Sequence, residues 1–276
     1  MPRPALALVV LALVAGCTRR AADGLPPGVE VEDLPQSEAW STTLRTSTDG
    51  VRDIEIETPY LARYTRDSTY TYLGPPPGDT TAAPVTIRLY DEAGEPSGSV
   101  RAREVWITPG ERGAPDRLVA EGAVRATQTG RAEVEAARVT VVGDSLVAVG
   151  DVRAQVEAGG ATVQAPRLVV AGASFVATGG VVAQLTEAAA TVRARTVEGS
   201  GGRYAAEGGV RVLASGGRTL EAGRVVWDEG AARFSAPGAF SFDGPGERVR
   251  GVGLSASSDL TRYTFRRAAG QLEVQE

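Results

Sequence analysis

The sequence predicts an all-β protein built from two-strand repeats of 28–30 residues, and three observations carry that prediction. Glycine recurs at Gly122, Gly150, Gly179, Gly208 and Gly238, each two residues after an alanine (Ala120, Ala148, Ala177, Ala206, Ala236), at intervals of 28, 29, 29 and 30 residues. Four positions before each glycine stands a large apolar side chain (Leu118, Leu146, Phe175, Tyr204, Phe234), and two positions after it another (Val124, Val152, Val181, Val210, Phe240). All lie an even number of residues from the glycine, which is the period of a pleated strand and not of a helix. The positions between them are polar: Arg125, Arg153, Gln155, Glu157, Arg211 and Asp243 face the other way. One face of the sheet is therefore buried and the other wet.

From the N-terminus, Arg3 is followed by an apolar run over residues 5–15, too short for a membrane-spanning helix and suited to a secretory signal. The run ends in Leu13-Val14-Ala15-Gly16-Cys17, which resembles a bacterial lipobox. In such signals cleavage precedes the cysteine and a diacylglyceryl group is attached to its sulfur, so residues 1–16 are read as signal peptide and Cys17 as the lipidation site. Cys17 is the only cysteine, which excludes an internal disulfide. Residues 17–37, rich in Gly, Pro and acidic side chains, read as a tether between lipid and fold. Thr18, which is not aspartate, follows the cysteine; by resemblance to enteric sorting rules this points to the outer membrane.

Residues 38–276 read as one stack of strands. Ile54-Glu55-Ile56-Glu57-Thr58-Pro59 has the pattern of Val163-Gln164-Ala165-Pro166, and Val100-Arg101-Ala102 fits the same module before a longer turn near Gly110. Each repeat holds a second strand, with Val134 and Ala136, Val163 and Ala165, Val192 and Ala194, or Leu220 and Ala222 on its inner face. Three residues beyond the last of each pair the apolar register resumes on the other parity, at Val139, Leu168, Val197 and Val225. A one-residue slip turns side chains to the wrong face unless the strand bends, so a bulge or corner is expected at Ala137, Pro166, Arg195 and Gly223. Turns fall at Val142-Gly143-Asp144-Ser145, Ala158-Gly159-Gly160 and Ser215-Gly216-Gly217. The alternating run at Tyr263, Thr264 and Phe265, close to the C-terminus, is the expected docking edge for a partner strand.

Composition narrows the chemistry. The chain has no histidine, lysine or asparagine, and its formal charge is −5 with every basic residue an arginine. Neither a serine–histidine triad nor a typical zinc site can be assembled, and neither catalytic residues, a metal nor a cofactor is expected. Glu133 with Glu135 and Glu55 with Glu57 are carboxylate pairs expected on the outward face as solvated charge. Gly251-Val252-Gly253-Leu254-Ser255-Ala256 has the letters of a dinucleotide fingerprint but no helix to follow it, and reads as a glycine-kinked strand. An acidic chain with arginines interleaved among glutamates is not a nucleic-acid binder.

The repeated Ala-x-Gly-x-Val strands resemble the OstA-type β-jellyroll domains of the lipopolysaccharide transport bridge, found in LptA, LptC and the periplasmic part of LptD. Val249 to Tyr263 resembles the closing strands of LptC, and Trp40 to Leu44, the Asp49-Gly50 turn and Ile54 to Tyr64 its opening in lipoprotein-type chains. The chain departs from enteric LptC, which has a transmembrane helix in place of a lipobox, and its central repeats make it longer than a usual LptC, which leaves an LptA-like or fused role open. The resemblance implies an elongated twisted β-jellyroll. Its inner face, at Leu118, Val124, Leu146, Val152, Phe175, Val181, Tyr204, Val210, Phe234 and Phe240, would form a groove for the acyl chains of lipopolysaccharide. It further implies LptA-like jellyrolls and the inner-membrane export ABC transporter as partners, and the periplasmic face of the inner membrane as the site of anchoring. Two rivals stay open: an exported parallel β-helix used for adhesion or as a scaffold, with a dry core, and an envelope glycan or lipid enzyme. The lipobox reading has a direct test. Cys17→Ala should accumulate as an unacylated precursor of full length on a gel, and a processed, membrane-bound protein without lipid at that position would refute it.

Overall fold

A computed structural model of the chain describes residues 34–65, 69–110, 116–129, 132–143, 145–156 and 160–272. The signal peptide, Cys17 and most of the tether lie outside the described residues, as do Glu157 and residues 273–276. The described residues are almost entirely strand, and their only helical turn is a 3-10 turn at Ser215–Gly217, where the sequence places a turn. Every strand pairing described is antiparallel, which sets aside the parallel β-helix. The chain divides into two compact units, one holding residues up to 129 with 137–146, the other 132–136 with 147–272.

The first unit contains β1 (Ser37–Thr48), β2 (Val51–Thr65), β3 (Thr69–Gly74), β4 (Val85–Tyr90), β5 (Pro96–Ala102), β6 (Glu104–Thr108) and β7 (Arg117–Gln128). Its long strands serve two neighbours each. β2 pairs with β4 up to Glu57 and with β3 from Tyr60 onward, and the change falls at Pro59, which has no N–H to give a ladder. β7 does the same, pairing with β6 up to Glu121 and with β5 from Arg125, and between these stand Gly122 and Ala123 with φ of +81° and +53°. A Cβ on Gly122 would lie 2.6 Å from the Cβ of Arg103, in the short link between β5 and β6. β8 (Ala132–Val142) and β9 (Ser145–Val156) straddle the division between the units.

The second unit continues as a meander of β10 (Ala161–Ala171), β11 (Ser174–Leu185), β12 (Ala190–Ser200), β13 (Arg203–Leu213), β14 (Thr219–Asp228), β15 (Arg233–Gly244), β16 (Glu247–Ser257) and β17 (Tyr263–Leu272). Strands β10 to β16 each carry one register shift, and the shifts line up across the sheet. Between the pairs Thr178–Thr196 and Val181–Ala194, two residues of β11 oppose Arg195 alone. Gly208 and Gly209 of β13 likewise oppose Gly223, and Pro237 and Gly238 of β15 oppose Gly253. The register shift falls where the sequence places it, but the extra residue is not on the second strand of the repeat. It belongs to the glycine strand: φ is +97° and +98° at Gly179 and Gly180, and +86° and +78° at Gly208 and Gly209, the left-handed conformation that glycine takes cheaply, whereas at Pro237 and Gly238 of β15 the left-handed residue is Gly253 on the partner strand, with φ +77°. The glycines also let the corner residue of the neighbouring strand close in. A Cβ on Gly208 would sit 2.6 Å from Arg195 Cβ, and one on Gly179 would sit 3.0 Å from Pro166 Cγ.

Every strand of β10–β15 thus has two arms on either side of the corner. Cross-strand rows of buried side chains run through each arm. Val163, Ala183, Val192, Val212, Leu220, Phe242 and Val249 form one row, and Leu168, Ala177, Val197, Ala206 and Val225 another. Alternate positions such as Gln164, Arg193, Arg211 and Glu221 are exposed, and the outer face carries cross-strand pairs such as Arg224–Glu207 at 2.9 Å, each worth only a few tenths of a kcal/mol up to about 1. The motif at Gly251–Ala256 is strand, kinked where Gly253 takes φ +77°.

Gly208 and Gly223 face each other across this corner and should respond oppositely to alanine. Gly208→Ala meets both a left-handed backbone and Arg195, and is expected to lower the unfolding free energy by at least about 1–2 kcal/mol. Gly223 has no neighbour within 4 Å of a Cβ and no left-handed φ, so Gly223→Ala should raise it by roughly 0.5–1 kcal/mol. Urea unfolding of the two variants decides the matter; equal effects would mean the corner does not depend on the glycine strand.

Candidate apolar binding slot

The two arms of the second unit face one another over a core that is not completely filled. One wall comes from Ala161 and Val163 on β10, Ala183 and Leu185 on β11, and Val192 on β12, all on one side of the corner. Facing them, from the other side of the corner, are Phe175, Val197, Tyr204, Ala206, Val225, Trp227 and Phe234. The space left between the walls holds the centres of water-sized spheres over about 30 Å³, against the 10–15 Å³ or so that a single water requires. The slot is therefore narrow. Except for the Tyr204 hydroxyl its side chains present only carbon and the indole of Trp227, and such a space favours an apolar occupant over water.

The aromatic wall follows from strand register. Phe175, Gly199, Tyr204, Trp227, Phe234, Ala256 and Tyr263 are successive partners across seven strands, so their side chains stand side by side on one face. Phe175 and Tyr204 are tilted with ring centroids 6.1 Å apart, and Trp227 and Phe234 lie at 4.6 Å. Toward β17 the arms are bridged by rings. Phe242 meets Tyr263 at 4.8 Å and Phe240 meets Phe265 at 6.4 Å, each pair joining residues from opposite sides of the corner. At the other extreme the Tyr204 hydroxyl donates to Glu229 Oε2 at 3.4 Å. Burial, then the charges of Glu229 and Glu187, hold its pKa above the usual phenolic value.

Of the inner-face residues read from the sequence, Phe175, Tyr204 and Phe234 line the slot. Val181 and Val210 are fully buried beside the corner, Val152 is buried on β9 and Val124 on β7, and Phe240 belongs to the ring contacts near β17. Leu118 and Leu146 are half-buried. Leu185 and Trp227 were not singled out, although both obey the expected parity: Leu185 lies four residues beyond Val181, and Trp227 two beyond Val225. Tyr263, Thr264 and Phe265 stand on β17, hydrogen-bonded to β16 through Ala256, Ser255 and Leu254, with no strand on the other side among the described residues. Phe265 is 44 % exposed there.

One of the carboxylate pairs is placed differently from expectation. Glu55 is buried, not solvated, because three arginine side chains cover it: Arg45 Nε at 2.6 Å, Arg88 Nη1 at 2.7 Å and Arg52 Nη1 at 3.6 Å. Arg88 also bridges to Glu57 at 2.7 Å. The Arg45 hydrogen bond leads in holding the Glu55 pKa down, against a smaller opposing effect of burial and with further help from Arg88. A carboxylate so paired is a fixed anion and a poor proton carrier. Among the described residues no group of three His, Cys, Asp or Glu side chains is arranged to hold a metal ion, and no helix is long and apolar enough to cross a membrane.

These features define an all-β, antiparallel protein of bent strands with an apolar slot between its arms. No family model matches the chain, and no curated protein does. Among solved structures, the crystal structure of LptH, described as the LptA homologous periplasmic component of the conserved lipopolysaccharide transport device from Pseudomonas aeruginosa, is 15 % identical over 65 % of this chain and 95 % of that one, with a TM-score of 0.24.

The Glu55 cluster has a signature in acid. Its folded pKa lies below the unfolded one, so its contribution is complete above about pH 4.5 and is lost as the pH falls through the depressed folded value. Glu55→Gln should lower stability at neutral pH and flatten the loss below pH 4.5, measured by urea unfolding across pH. A parallel acid limb in variant and wild type would mean that the cluster is not coupled to folding.

Proposed function

We propose that this chain is a non-enzymatic periplasmic lipopolysaccharide-transport protein that shelters acyl chains between the arms of its bent strands and passes them along a bridge of jellyroll domains between the inner and outer membranes. The observation that carries this reading is the slot itself: a carbon-lined space between two sheet arms, in a protein whose outer face is charged. Burying one methylene is worth about 0.8 kcal/mol, so four methylenes in the slot are worth roughly 3 kcal/mol against exposure to water. Longer acyl chains require the arms to part, and the corner glycines are the places where each strand has the freedom to do so.

The resemblance of the repeats and closing strands to OstA-type domains supplies the cargo class. The lipobox supplies the location: a chain tethered through Cys17 at the periplasmic face of one of the two membranes. The unpaired side of β17 at Tyr263, Thr264 and Phe265 offers main-chain donors and acceptors to a strand from an LptA-like jellyroll, and the inner-membrane export ABC transporter is the source from which cargo enters such a bridge.

Photo-crosslinking in growing cells tests these assignments together. A photoreactive residue at Leu185 or Tyr204 should capture lipopolysaccharide, one at Arg193 or Arg211 on the outer face should not, and one at Thr264 should capture a periplasmic protein. Equal lipid labelling of both faces would refute sheltering in the slot, and Thr264 adducts without protein would place the docking surface elsewhere.

A further inference from the structure

We infer that Gly199 sets the bore of the slot and that the slot admits one unbranched alkyl chain at this level; the inference rests on the acyl-sheltering reading above. Gly199 is buried at the next-to-last position of β12, directly between Phe175 on β11 and Tyr204 on β13. Its backbone is not left-handed, so no turn or bulge requires a glycine there. A glycine inside a strand is otherwise unfavourable, and its presence marks a place where something approaches the backbone closely. What approaches is the pair of rings. A Cβ at this position would fall against Phe175 Cε1, 2.7 Å from Phe175 Cζ and 2.8 Å from Tyr204 Cδ1.

Both rings therefore lie back over bare backbone from either side, and both line the slot. The corresponding position of the next repeat is Trp227, two strands away, so the row is not built of small residues; the gap at Gly199 is local. A side chain at Gly199 would displace the rings, and the direction open to them is toward Val163, Leu185 and Val192, across the slot. The width that remains in the present arrangement suits a single methylene chain. A branched or ring-fused hydrocarbon would require the same rings to move. The polar end of such a ligand would lie at the strand tips, where the Tyr204 hydroxyl and Glu229 stand.

The test uses the mature protein and a fluorescent single-chain probe, 11-(dansylamino)undecanoic acid, titrated while its emission is followed. Wild type should bind it saturably, Gly199→Ala should weaken binding roughly tenfold or more through overpacking, and Phe175→Ala in addition should restore it by giving the methyl group room. Circular dichroism checks that each variant is folded. Absence of saturable binding to wild type would overturn the sheltering reading and this inference with it. Binding to wild type and to a folded Gly199→Ala with equal affinity would overturn only the role of Gly199. Should Gly199→Ala fail to fold, Phe175→Ala and the double variant are compared: equal binding supports the ring mechanism, and weaker binding by the double variant overturns it.

Discussion

The structure depends on one steric bargain, struck repeatedly: a left-handed glycine on one strand against the side chain of a corner residue on the next. Gly122 against Arg103, Gly179 against Pro166 and Gly208 against Arg195 are the same contact. In each, the glycine does two things at once. It takes a backbone conformation that costs other residues about 1–2 kcal/mol, and it leaves empty the volume its neighbour's stem needs. Because these contacts recur in register within the second unit, its register shifts line up from strand to strand, and a sheet that would otherwise twist gradually is creased.

The crease decides where apolar side chains go. On the glycine strands the inner face keeps one parity through the bend, from Ala177 to Val181 and from Ala206 to Val210, while on the partners it changes, from Ala194 to Val197. The two arms of one face are thereby turned toward each other without a second sheet being needed. The consequence is uneven filling: residues close to the crease, such as Val181 and Val210, are fully buried, whereas farther out along the arms large rings line the space between the walls. Between Phe234 and Leu185 they do not meet, and the slot results. Nearer β17 they do, through Phe242 with Tyr263 and Phe240 with Phe265. Slot and plug differ by the presence of phenyl rings on both arms.

Much of this was legible in the sequence, for a physical reason. Period two, glycine spacing and the parity slip after Ala194 are local consequences of pleat and backbone conformation, so strands, inner face and corner could all be read without a partner strand in view. What could not be read depends on pairing. Which strand carried the extra residue required the register between Thr178 and Thr196. Glu55 looked outward by alternation, and so it is, yet Arg45 from β1 and Arg88 from β4 join its own strand's Arg52 to bury it, and arginines on neighbouring strands leave no trace in the local pattern. Leu185 and Trp227 share parity with residues recognised as inner, but whether an inner residue packs or lines a gap depends on the opposite arm.

The alternation of glycine strand and corner strand also constrains how such a chain can change length during evolution. Loss of a single strand would set glycine strand against glycine strand: two extra residues would oppose two, and neither side would offer a corner side chain to fill the vacancy. Loss or gain of a pair leaves every crease contact intact. Chain length should therefore change in steps of about 29 residues, each adding two strand spacings, close to 10 Å, along the hydrogen-bonding direction. Within the second unit, duplication can therefore add strands two at a time without redesign of the interior.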